Sequence, residues 1–122
     1  MAENPLIEDH RKPSVLSLNI RERSALFAAY MSFLNHGGIF IPTDKAMKMG
    51  EEVFMLLTIM KHPEKIAVKG KVVWITPAHA NDNKIQGVGV MFNNDDGGKL
   101  AKITIENHLA GLLDNPRATH TM

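Results

Sequence analysis

Between Lys65 and Phe92 the chain twice reads with a period of two, and that pattern limits the fold more than any other feature. In the first run, Lys65 to Ile75, residues Ile66, Val68, Gly70, Val72 and Trp74 fall on one face, with Lys69, Lys71 and Val73 on the other. Side chains alternate along a strand, so this is a strand with one face turned to a core. The second run, Ile85 to Phe92, puts Val88, Val90 and Phe92 on one face. Gly87 and Gly89 lie opposite, where glycine signals a tight bend or a close backbone approach. The polar stretch Pro77 to Asn83 between the runs reads as a loop.

The rest of the chain supplies partners for this pair. Ser14 to Ile20 alternates in its second half, with Leu16, Leu18 and Ile20 on one face. Asn35 to Gly38 is a turn, Ile39 to Ile41 a short strand stopped by Pro42, and Glu52 to Met60 is apolar on both faces, as in a central strand. Ser24 to Leu34 is ambiguous because of its alanines. As a strand it carries Phe27, Ala29, Met31 and Phe33 on one face and Leu26, Ala28, Tyr30 and Ser32 on the other. The period changes at the cap cluster Asn93 to Asp96. From Lys99 to Leu113 the apolar residues Leu100, Ile103, Ile105, Leu109, Leu112 and Leu113 fit an amphipathic helix. The expectation is a mainly β domain over 14–113. It has about six strands in a small antiparallel barrel or sandwich, with one C-terminal helix across an end or a face. Residues 1–13 read as a flexible lead-in and 114–122 as a flexible tail.

Composition then removes whole classes of function. The chain has 122 residues, one domain's worth, and its net charge of +1 is less positive than a dedicated DNA-binding domain usually carries, so no nucleic-acid partner is expected. Aromatic residues make up 6%, too few for the stacking platforms of a single-strand binder. Without cysteine there is no disulfide, thiolate metal site or cysteine nucleophile. The six histidines are scattered and lack H-E-x-x-H spacing, no serine sits in a G-x-S-x-G turn, and no carboxylate pair stands out. The expectation is no catalysis, no metal and no cofactor. No run approaches signal-peptide or membrane-spanning length, which fits a cytoplasmic protein.

Three local features resemble the PilZ-domain family. They are the turn Gly37-Gly38 leading into Ile39-Phe40-Ile41-Pro42, the loop ending in Gly50 before Glu51-Glu52-Val53-Phe54, and the paired runs Val68-Lys69-Gly70-Lys71-Val72-Val73-Trp74 and Gly87-Val88-Gly89-Val90-Met91-Phe92. The resemblance covers Leu34 to Phe92 and implies a six-stranded antiparallel β-barrel, a fold most of whose members bind the bacterial messenger cyclic di-GMP. Members that do so carry Arg-x-x-x-Arg, which clamps phosphate and guanine, and later Asp/Asn-x-Ser-x-x-Gly. Here no two of Arg11, Arg21, Arg23 and Arg117 are four apart. On the second motif, Phe33 stands at the Asp/Asn position, Asn35 at the Ser position, and only Gly38 matches.

A short chain without the clamp is similar to the branch of the family that serves type IV pilus biogenesis. That branch implies a cytoplasmic adapter between the pilus-extension ATPase and a receptor with degenerate GGDEF and EAL domains. The alternative is a cyclic di-GMP receptor using a nonstandard site. For a partner surface, the strand reading of Ser24 to Leu34 leaves one apolar face outside the barrel unless the helix covers it. The candidates are Tyr30 first, then Leu26, Phe27, Met31 and Phe33, with Pro116 and Arg117 in the tail and Val53 to Met60 as the next surface.

Overall fold

A computed structural model describes residues 14–78 and 85–110. Five strands form one curled sheet: β1 (Ser14–Ile20), β2 (Gly38–Pro42), β3 (Glu52–Ile59), β4 (Ile66–Thr76) and β5 (Gly87–Phe92). Two helices accompany them, α1 (Arg23–Ala29) and α2 (Asp96–His108). The strand order is β1-β3-β4-β5-β2, so β1 and β2 are the two edges.

The strands expected from alternation are present, and three expectations need correction. Among the described residues the sheet has five strands, not six. Ser24 to Leu34 is not a strand: it forms α1, and then Tyr30 makes a single antiparallel bridge to Ile39. Its alanines favour helix, and Leu26, Phe27 and Tyr30 recur at helical spacing, all buried. Nor is the sheet wholly antiparallel. β1 runs parallel to β3, Ser14 opposite Val53 through Ile20 opposite Ile59, while the other pairs are antiparallel.

The core fills the concave side. Leu16 and Ile20 of β1, Val53, Met55, Leu57 and Ile59 of β3, and Val88, Val90 and Phe92 of β5 are buried there, against Leu26 of α1 and Ile105 of α2. α2 lies across β4 and β5. Its N-terminus is capped by Asp95, whose carboxylate accepts from the Gly98 N–H at 2.9 Å, at the end of the expected cap cluster. A side chain at Gly98 would run into the Asn93 carbonyl, so the glycine lets the helix start directly on the sheet. The helix buries Ala101, Thr104, Ile105 and Leu109 and leaves Leu100 and Ile103 exposed, a turn of the expected stripe. Leu112 and Leu113 lie outside the described residues.

On the other side of the sheet Met31 and Trp74 close over β5. A Cβ at Gly89 would lie 2.7 Å from Met31 Sδ and 2.9 Å from Trp74 Cβ. This is the close approach that the glycine alternation signals, made by side chains as well as backbone. Trp74 reaches that side because the β4–β5 register shifts between Val72 and Trp74, which takes it off the face of Ile66, Val68 and Val72. Its indole N–H donates to Thr76 Oγ1 at 2.9 Å.

Candidate functional site

The segment that would carry a nucleotide motif is the turn from Met31 to Gly38. It is held by backbone bonds from the Gly37 N–H to the Leu34 carbonyl (3.0 Å) and from the Met31 N–H to the Gly38 carbonyl (2.8 Å). Phe33 and Asn35 are exposed and Gly38 is buried. A Cβ at Gly38 would lie 2.5 Å from the Val90 carbonyl, so packing alone requires glycine there. Gly37 has φ +73°, and a Cβ on it would meet the Tyr30 hydroxyl at 2.7 Å. Both glycines of the turn therefore have structural reasons to be glycine.

Behind the turn, α1 and α2 are tied together by polar contacts. The Tyr30 hydroxyl donates to Glu106 Oε2 at 2.7 Å, and Lys102 Nζ lies 3.1 Å from the same oxygen. Burial, then the bond to Glu106, pushes the Tyr30 phenol well above its ordinary value. Burial would raise the Glu106 carboxyl too, but bonds from Tyr30 and Lys102 outweigh it and hold the group below its usual range. At the start of α1, Arg23 donates from Nε to the His108 carbonyl at 2.9 Å and from a terminal nitrogen to the Ala110 carbonyl at 2.7 Å. A guanidinium on the last carbonyls of a helix satisfies orphan acceptors and meets the negative end of the helix dipole. Arg23 is thus engaged with protein, and Arg21 is exposed.

Arg21 stands at the rim of a groove of about 390 Å³ between the two edges of the sheet. Leu18, Asn19 and Ile20 of β1 form one wall and Phe40 and Pro42 of β2 the other, with Ala25 and Ala29 of α1 at one end and Glu22 beside Arg21. A second groove of about 340 Å³ opens on the far side of β1, where Ser17, Leu18 and Asn19 meet Leu56, Thr58 and Lys65.

The expected contact patch is not on the surface. Tyr30 is 2% exposed, and Leu26, Phe27 and Met31 are buried with it, because α1 turns them inward. Of that group only Phe33 is exposed, at 51%. Pro116 and Arg117 lie outside the described residues. In the next surface considered, Val53, Met55, Leu57 and Ile59 face the core, and Phe54 and Leu56 are half-buried on the outside. Sequence reasoning missed the Arg23 clip, the Glu106 acceptor and the groove. The helical spacing of Leu26, Phe27 and Tyr30 was the available signal for the first two; the groove depends on which strands end up as neighbours. Among the described residues no group of three or more His, Asp or Glu could hold a metal, and no helix is long and apolar enough to cross a membrane.

The chain matches the PilZ domain family over residues 7–111 and belongs to it. The match extends well beyond Leu34 to Phe92, into β1, α1 and α2. No curated protein matches the sequence. Membership points to a binding domain, a receptor or an adapter connected with cyclic di-GMP.

Proposed function

We propose that the protein is a non-catalytic, cytoplasmic bacterial adapter for type IV pilus assembly and twitching motility. It joins the pilus-extension ATPase to a receptor with degenerate GGDEF and EAL domains, and does not itself bind cyclic di-GMP. The observation that carries this reading is the state of the ligand motif. No arginine pair has clamp spacing, and Arg23 commits its guanidinium to the carbonyls of His108 and Ala110. Phe33 puts an exposed ring where the motif needs a hydrogen-bonding side chain. The remaining motif residue, Gly38, is accounted for by packing against Val90.

Each charge-assisted contact of a clamp contributes about 1.5–3 kcal/mol, so loss of two weakens a micromolar site by roughly a hundredfold or more. Calorimetric titration with cyclic di-GMP is expected to give no dissociation constant below about 10 μM. A tighter value overturns the non-binding part of the reading. The receptor alternative has the groove in its favour, with Arg21 on its rim. Saturable binding lost in Arg21→Ala would decide for it. Capture of the ATPase and of the EAL-domain receptor by the purified chain tests the adapter role directly.

A further inference from the structure

We propose that the slot beside β1 is a strand-acceptor site, which takes one extended, uncharged, apolar segment of a partner protein as an added strand. This rests on the adapter reading and names the way a partner is held. β1 pairs with β3 along all seven of its residues, and its other edge has no strand partner among the described residues. An open edge offers a row of N–H and C=O groups, and proteins normally guard it with lysine, proline, a bulge or brevity. The strand Ser14–Ile20 contains no charge, no proline and no glycine, and its register is unbroken. Lys45 Nζ approaches the Val15 carbonyl at 3.5 Å, near the strand's start and away from Leu18–Ile20.

The unpaired edge borders the first groove through Leu18, Asn19 and Ile20, while the second groove lies over the β1–β3 pair. Across the slot stand apolar and small side chains, Phe40, Pro42, Ala25 and Ala29. Arg21 and Glu22 on the rim offset each other and favour no charged occupant. Backbone groups on one wall and apolar side chains on the other match a single strand. Its main chain would bond β1 while alternate side chains enter the groove.

Other occupants fit less well. A second copy would bring a whole sheet edge to a slot walled by β2. The chain's own lead-in has Pro5, which cannot donate to a ladder, and a charged run from Glu8 to Lys12.

The test tracks backbone amide resonances of the isotope-labelled full chain during titration with the capped peptide Thr-Val-Thr-Val-Thr-Val-Thr. The control is the same peptide with Glu in place of each Val. Shifts are expected at Leu18, Asn19, Ile20 and Ala25 with the valine peptide and none with the control. Affinity should fall at least about tenfold in Ala25→Arg, which sends a long charged side chain into the slot from an exposed helix position. The proposal is overturned by no shifts, by shifts centred elsewhere, or by an unaffected Ala25→Arg. It is overturned equally by a doubled mass in sedimentation, which assigns the slot to a second copy, or by binding seen only after residues 1–13 are removed, which assigns it to the lead-in. Partner capture that persists in Ala25→Arg removes the strand-acceptor site and leaves the adapter reading standing.

Discussion

At the β2 edge, Tyr30 bridges Ile39, the Met31 N–H donates to the Gly38 carbonyl, and Pro42 ends the strand without a donor. Just before that turn, α1 and its cap are tied to α2 by Tyr30 on Glu106 and by Arg23 on the His108 carbonyl. At the β1 edge, seven uncharged residues carry none of these devices, and three of them, Leu18, Asn19 and Ile20, line a groove. The difference teaches that the two ends of one sheet can have different tasks. One end is sealed by local chain and helix contacts, and the other is left able to pair.

The sealed end is broken most severely from its supports. Leu109 is fully buried beneath the helix terminus that Arg23 clips, so Leu109→Asp should cost several kcal/mol, as an unpaired buried charge does. Urea unfolding measures it; a midpoint close to that of the parent chain would show that α2 is peripheral to the fold. Gly37→Ala should cost about 1–3 kcal/mol, because φ is +73° and the new Cβ meets the Tyr30 hydroxyl.

Tyr30→Phe should cost about 1–2 kcal/mol through loss of the bond to Glu106. It also has a pH signature. The phenol is raised in the folded state, so its contribution is complete below about pH 10 and is lost as pH rises above it. The Glu106 carboxyl is lowered, so its contribution is present above the ordinary carboxylate value of about 4.3 and is lost as pH falls through the folded value. Thermal melts against pH should therefore show both limbs in the parent chain, and the alkaline limb should be flattened in Tyr30→Phe. The open end should be nearly indifferent. Asn19→Lys, at a β1 position that lines both grooves, should change stability by no more than about 0.5 kcal/mol by urea unfolding. A larger loss would mean that the β1 edge is already engaged within the chain.

Much of this architecture is legible in the residues, and the boundaries of legibility are physical. Alternation marks β1, β4 and β5 because each turns one face to a single core, a run apolar on both faces marks β3, and the capped amphipathic run marks α2. α1 is harder because seven residues give fewer than two turns, and Ala25, Ala28 and Ala29 satisfy either period. Reading it as a strand moves Tyr30 and Leu26 outward and creates a surface patch that the helix abolishes. The bulge at Val72–Trp74 is equally silent, since an extra residue in one strand changes only the phase of the residues after it. The open edge of β1 is not local at all: Ser14–Ile20 looks the same in sequence whether it lies inside a sheet or at its margin.

The parallel pairing of β1 with β3 has a consequence for the order in which the chain can assemble. β3, β4 and β5 join neighbour to neighbour, so their contacts close short loops. β1 cannot do this, because its partner at Val53 comes only after α1 and β2 have been made. Contacts of long sequence separation are slow to form, and synthesis proceeds from the N-terminus. Of the described strands β1 is made before the others, and it therefore waits, uncharged and unpaired, for β3. During that interval both of its edges, and not only the one without a strand partner among the described residues, are available to whatever strand arrives first.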